Sequence, residues 1–276
     1  MKNVVVRAIS GAVYVALIIG AIFLGKEAFG ALILLFILLS VPEALRLFSA
    51  QRKPDNLCRV IDIAGGLSVY MGMTAPYFFP SADISSLPVF ATFIPFTIYF
   101  LVRLMVELFI NGENPIANLG ASLLSVIYPS LPLAMLFILY CFAGRYVVLA
   151  MFIFIWLNDT GAFCVGSLIG KHKLSVVSPK KSWEGVWGGL LFCVIAGALF
   201  GTIGSEYFTD NWVKYIIMGI TAALLSTIGD LVESLFKRTA GVKDSGNIMP
   251  GHGGILDRID SLLFVAPATL CLLFIY

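Results

Sequence analysis

Residues 226–260 read STIGDLVESLFKRTAGVKDSGNIMPGHGGILDRID and carry Asp230, Glu233, Lys237, Arg238, Lys243, Asp244, His252, Asp257, Arg258 and Asp260. That is a dense polar block in a chain whose Asp, Glu, Lys and Arg residues together make up 12%. Several of these groups flank or enter apolar runs long enough to cross a bilayer. An ionisable residue there costs roughly 2.5–3.5 kcal/mol on insertion scales and is functional by default. Asp257 and Asp260 are three residues apart at the start of the last apolar run and so share a helical face. In the first turns of a helix the dipole favours their charge. Asp230, Ser234 and Lys237 form one stripe at i, i+4 and i+7. The intervening GVKDSGNIMPGHGG is glycine-rich enough for backbone amides to come close to a ligand. Carboxylates of this kind suit Mg²⁺, which prefers one or two of them plus phosphate oxygens and water. Lys237, Arg238, Lys243 and Arg258 suit phosphates beyond the reach of the ion. The bland alternative is a set of interfacial charges that neutralise one another or meet lipid headgroups. The density of the block weighs against it.

Helices must position these groups. The chain has 276 residues, is 59% apolar and has a mean hydropathy of +0.97. A soluble domain is nearer half apolar with a quarter charged, so the composition predicts a polytopic, all-α transmembrane helix bundle. Runs of about 20 apolar residues can cross the hydrocarbon core. Nine are expected, at 8–24, 28–48, 60–79, 87–110, 117–142, 146–167, 185–204, 212–236 and 255–275. Together they form a single integral-membrane domain over 1–276, with N-terminal spans in 1–142 and catalytic C-terminal spans in 143–276. The opening MKNVVVRAISGAVYVALIIGAIFLG is too long in its apolar part for a signal peptide and reads as a retained first span.

Basic residues set the orientation. With a cytoplasmic N-terminus, fourteen Lys and Arg fall on cytoplasmic ends and loops against Lys26, Arg145 and Lys214 outside, while Arg103 lies within a span. Both long basic loops, 168–184 and 237–254, then face the cytoplasm. In the seventh span Gly185, Gly189, Cys193, Gly197 and Gly201 recur every four residues, a spacing that admits a close backbone neighbour. Arg103 and Glu107, four apart, predict an ion pair. The five cysteines, without a CxxC, read as packing residues. Two histidines, His172 and His252, leave almost nothing for a zinc or haem site.

The run Ser234-x-x-Lys237-Arg238, Lys243-Asp244, Pro250-Gly251-His252-Gly253-Gly254-x-x-Asp257-Arg258-x-Asp260 closely resembles the diagnostic motif of the phosphatidate cytidylyltransferases, the CDP-diacylglycerol synthases. Upstream, Asn158-Asp159-Thr160-Gly161-Ala162-Phe163, Gly166, Gly170 and Ser178-Pro179-Lys180-Lys181-Ser182-Trp183-Glu184-Gly185 resemble that family's second polar block. Length, span number and Arg7-x-x-Ser10-Gly11 also fit; the first 140 residues match in character more than in motif. The resemblance implies phosphatidate + CTP → CDP-diacylglycerol + pyrophosphate, with Mg²⁺ and a second, monovalent cation such as K⁺. It implies metal roles for Asp230, Asp257 and Asp260. Lys237, Arg238, Lys243 and Arg258 are then candidates for the CTP phosphates or the phosphatidate head. Asp244 holds the loop or joins the metal shell, and His252 makes a phosphate or loop hydrogen bond. Ser178, Lys180 and Lys181 are expected to close over the substrates. Asn158, Asp159 and Ser234 join the substrate-binding set, with a polar partner expected for Asp159. Glu43 and Glu233 are weaker candidates. The resemblance also suggests a homodimer, and nothing points to nucleic acid. Without a eukaryotic-style N-terminal extension, a bacterial plasma (inner) membrane with a cytoplasmic active site is expected.

Three other activities compete. A CTP-dependent lipid kinase would move the terminal phosphoryl group instead. A CDP-alcohol phosphotransferase would carry DG-x-x-AR, which is absent. A proton- or cation-coupled transporter would explain Asp159, Asp230 and Glu233 but not the phosphate-binding character of the loops. Gly166 to Lys171 lacks one residue of a Walker A loop and is followed by His172.

Overall fold

The structure, a computed structural model, describes residues 2–49, 55–78, 93–110, 114–203, 212–249, 251 and 253–275, with side chains from residue 6 onward. His252 therefore lies outside the described residues. The described residues form nine α-helices: α1 (Lys2–Leu24), α2 (Lys26–Phe48), α3 (Asn56–Phe78), α4 (Ile94–Ile110), α5 (Pro115–Ala143), α6 (Arg145–Ile169), α7 (Trp183–Ile203), α8 (Trp212–Thr239) and α9 (Leu256–Ile275). No strand occurs among them, only two isolated bridges, Lys173 with Ser182 and Met249 with Gly253. Each helix falls on one of the expected apolar runs. Seven of the nine are long and apolar enough to cross a bilayer; α3 and α4 are the exceptions. α4 has 17 described residues, with 87–92 of the expected run lying outside the described residues, and α3 carries Arg59 and Asp62.

The chain divides into two compact units. The first comprises Met1–Cys141 with Thr239–Arg258, the second Phe142–Arg238 with Ile259–Tyr276. The segment carrying Lys243, Asp244 and Asp257 thus folds with the N-terminal helices rather than with its sequence neighbours.

In the first unit α2 is the central element, packing on α1 and on α3, which in turn packs on α4. Its core is mainly Ile and Leu, with a cluster of aromatic rings among them. Tyr70 meets Phe137 edge-on at 5.8 Å between centroids, and Phe78 stacks on Phe137 at 4.7 Å. A buried polar network crosses α3, α4 and α5. Arg103 Nη1 lies 2.8 Å from Glu107 Oε2, its Nε donates to Ser122 Oγ at 2.8 Å, and Ser122 Oγ donates to Asp62 Oδ2 at 2.7 Å. Tyr99 donates to Asp62 Oδ1 at 3.1 Å and Asn118 to Glu107 Oε1 at 2.7 Å. The expected Arg103–Glu107 pair is present, but Asp62 makes it a three-charge cluster, which helical spacing could not reveal.

The second unit is organised by the small-residue stripe of α7. Early in the helix Gly185 lies against the carbonyl of Ala162, and Gly189 against Asn158, both on α6. Farther on, Gly197 lies against the Tyr215 carbonyl and Gly201 against Trp212, both on α8. Cys193 sits at the handover, its thiol donating to the Phe154 carbonyl at 3.3 Å. A four-residue step advances the stripe by about 40° around a helix of 3.6 residues per turn, so one face serves two neighbours in succession. These contacts lie within one chain. A Cβ at Gly197 would sit 2.7 Å from the Tyr215 oxygen, a backbone atom that cannot swing aside. Gly197→Ala should therefore destabilise by about 1–3 kcal/mol, read as a lower thermal midpoint in detergent. An unchanged midpoint would mean that α7 and α8 do not pack this closely.

Candidate active site

Local sequence builds the loop after α6. Gly170 ends that helix, and the chain returns through a narrow antiparallel turn in which Leu174 N donates to the Lys181 carbonyl at 2.9 Å and Trp183 N to the His172 carbonyl at 3.0 Å. Ser182 then caps α7, its Oγ accepting from Gly185 N at 3.1 Å, as Ser does at the N-cap. Glu184 ties the turn down: its carboxylate accepts from His172 N at 3.3 and 3.2 Å, and Oε1 lies 2.6 Å from His172 Nδ1. Lys181 is thereby aimed at α8, where its Nζ lies 2.7 Å from Asp230 Oδ2. Lys180 is exposed beside it, and Ser178 supplies the carbonyl that closes the turn to Lys181 N at 3.0 Å.

On α8, Ser234 Oγ donates to Asp230 Oδ1 at 3.2 Å, and Lys237 Nζ donates to Glu233 Oε2 at 2.6 Å. Glu233 is fully buried. Its pairing with Lys237 gives this weaker candidate a definite place. Arg238 is exposed at the end of the helix. On α9, Asp260 Oδ1 accepts from Ser261 N at 2.7 Å, and its carboxyl lies within electrostatic reach of Asp230, Asp159 and Lys237. Gly229 permits this approach of α8 to α9, since a Cβ there would stand 2.6 Å from the Asp260 carbonyl oxygen. Asn158 is buried, its Nδ2 3.3 Å from Ser226 Oγ and 3.5 Å from Thr227 Oγ1. Asp159, one residue on, is exposed rather than enclosed in α6, so a rotation of about 100° around the helix separates a packing polar group from one that can meet a ligand. The second unit thus gathers Lys181, Asp230, Ser234, Lys237, Asp159 and Asp260.

The first unit holds the glycine-rich loop. Gly241, Gly251 and Gly253 have positive φ, and Met249 N donates to the Gly253 carbonyl at 2.9 Å, which closes a tight turn. Asp257 anchors the loop: its Oδ2 accepts from Ser245 N at 2.9 Å and Gly254 N at 2.8 Å, with Ser245 Oγ 3.0 Å away. The N-terminal helices hold it from the other side. Tyr14 of α1 donates to the Arg258 carbonyl at 3.0 Å, and Glu43 of α2 accepts from Ser245 Oγ, Ile255 N and Leu256 N. Lys243, Asp244 and Arg258 are exposed. Ser245 was not signalled by the sequence, because a neutral side chain in a loop has no distinguishing pattern.

Around Asp230 and Asp260 the donors are compatible with Mg²⁺, which needs only one or two protein carboxylates when phosphates supply the rest. Among the described residues no three His, Cys, Asp or Glu side chains converge as an all-protein cage.

Residues 5–276 match the family described as the cytidylyltransferase family. The chain belongs to that family. Its curated relatives include phosphatidate cytidylyltransferases of three staphylococci. That of Staphylococcus aureus (strain COL) is 51% identical over 128 residues, 45% of this chain and 47% of its own. Those of Staphylococcus epidermidis (strain ATCC 35984) and Staphylococcus saprophyticus are 49% and 50% identical over 124 and 125 residues, covering 45% of this chain and 46% and 47% of theirs. The chain spans about half the length of the curated relatives it matches. The match agrees with the resemblance carried by the two polar blocks.

Proposed function

We propose that this cytidylyltransferase acts on phosphatidate, forming CDP-diacylglycerol and pyrophosphate from CTP. The observation that carries the reading is the convergence on Asp230 of Lys181 and Ser234, from both family-like motifs, with Asp260 close by. A phosphate oxygen of phosphatidate, anionic at neutral pH, attacks the α-phosphorus of CTP. The new P–O bond forms as the bond to the β-phosphate bridging oxygen breaks, and its electron pair leaves with pyrophosphate. No general base is required, so His252 is assigned a phosphate or loop hydrogen bond. The difficulty is electrostatic: two anions must meet and a third must depart. Fixed positive charge lowers that barrier. Lys181, Lys237, Arg238, Lys243 and Arg258 are the proposed phosphate ligands, with Lys180 and Ser178 beside them. Asp230, Asp257 and Asp260 are the proposed Mg²⁺ ligands. When bound, the ion would neutralise phosphate charge and orient the leaving group.

The nine-span topology with a cytoplasmic N-terminus rests on the distribution of Lys and Arg, and puts both basic loops where a soluble nucleotide reaches them. A plasma-membrane location, a second cation such as K⁺ and a homodimer rest on the family resemblance.

The test is conversion of labelled CTP by the purified protein in mixed micelles containing phosphatidate. CDP-lipid and pyrophosphate should appear in equal amounts, vanish with EDTA and return with Mg²⁺. Lys181→Met should lower the rate about 10²-fold. CDP released with a phosphorylated lipid would instead identify a kinase, and no turnover by folded protein would sink the enzyme reading.

A further inference from the structure

Glu43 lies in the last two turns of α2, in the segment SVPEALRLF, and is 6% exposed. A carboxylate buried among helices is costly unless hydrogen bonds replace water. Here three donors do so, all from the segment before and at the start of α9. Ser245 Oγ reaches Oε2 at 3.0 Å, Leu256 N reaches Oε2 at 2.9 Å, and Ile255 N reaches Oε1 at 3.1 Å. The first N–H groups of a helix have no partner within it, and the dipole makes that end welcome negative charge. Glu43 therefore caps α9 from another helix, more than 200 residues away in sequence.

The cap is coupled to Asp257. Ser245 Oγ stands 3.0 Å from both Glu43 Oε2 and Asp257 Oδ2, and Ser245 N donates to the same Asp257 oxygen. Glu43, Ser245, Asp257 and the first amides of α9 form one hydrogen-bonded unit. Two glycines of the loop make room for it: a Cβ on Gly246 or Gly254 would run into the Glu43 carboxylate. The loop is thus shaped around this acid.

We infer that Glu43 is a positioning residue for the cytidylyl transfer, setting Asp257 and the start of α9 through Ser245. The inference rests on the function proposed above. In this role Glu43 acts through Ser245, Asp257 and the first amides of α9 rather than as a ligand itself.

The test uses the full-length protein with Glu43→Gln and Ser245→Ala, singly and together. Gln replaces one accepting oxygen by an amide that would face a backbone N–H. Without substrate, the Ile255 and Leu256 amides should exchange hydrogen faster in Glu43→Gln. In the micelle assay the Mg²⁺ concentration for half-maximal rate and KM for CTP should rise, with turnover about 10–100-fold lower. Ser245→Ala should produce the same shifts, and the double variant should lose much less than the product of the two single losses. Unchanged exchange, or a rate loss that tracks only the amount of folded protein with KM and the Mg²⁺ midpoint unmoved, overturns the inference. Inactive wild-type protein would instead count against the proposed function, and the exchange comparison would still decide whether Glu43 clamps the loop.

Discussion

Asp230→Asn is expected to lower the proposed CDP-diacylglycerol formation by about 10²–10³-fold while leaving the thermal midpoint nearly unchanged. The two halves of that expectation have separate physical origins. Asn is nearly isosteric and still offers one oxygen to Ser234 or Lys181, which approach Asp230 at 3.2 and 2.7 Å. The Lys181–Asp230 pair is partly solvated, with side chains 28% and 37% exposed. Exposed pairs of this kind contribute about 0–1 kcal/mol to stability. What the substitution removes is a charge beside Asp260, and with it the pairing that orients Lys181 and the carboxylate proposed to bind Mg²⁺. Activity and midpoint should therefore part company. Conversion within threefold of wild type would remove Asp230 from the reacting centre; a collapse of both would mean that the pair is structural.

Arg103→Leu is expected to show the opposite pattern, a stability loss of about 3–5 kcal/mol with no specific change in KM for the folded fraction. Arg103 is 3% exposed and lies among two carboxylates, Glu107 at 2.8 Å and Asp62 at 3.7 Å, themselves 4% and 0% exposed. Removing the guanidinium leaves two buried negative charges without a cation, which costs more than the ion pair itself was worth. Glu107→Gln should be milder, since Arg103 retains Asp62 and Ser122. The network borders a cavity of ≈ 360 Å³ lined also by Asp55, Cys58 and Asn118. If Arg103→Leu proves as stable as wild type in heated detergent extracts, water in that cavity must be carrying the charges.

Sequence alone determined a good deal of this protein. The helices follow from apolar runs of bilayer length: α2, expected at 28–48, spans Lys26–Phe48, and α9, expected from 255, begins at Leu256. Burying apolar side chains and satisfying every backbone group within the helix are requirements each segment meets by itself, so they can be read segment by segment. The polar blocks that mark the family are equally local, and most of their residues were identifiable as site candidates by charge within an apolar background.

Only the tertiary structure decided which of these groups meet. Lys181 reaches Asp230, Lys237 pairs with Glu233, and Asp62 completes the Arg103 cluster. The loop that Asp257 anchors belongs with α1 and α2, and the acid that holds it is Glu43. Helical periodicity states which residues share a face of their own helix, not which other helix that face will meet. Partner choice depends on crossing positions set by small residues such as Gly185, Gly197 and Gly229, and on the cost of leaving a buried charge or helix end unpaired. Those conditions are met across long sequence separations, so they are settled only when the whole chain has packed.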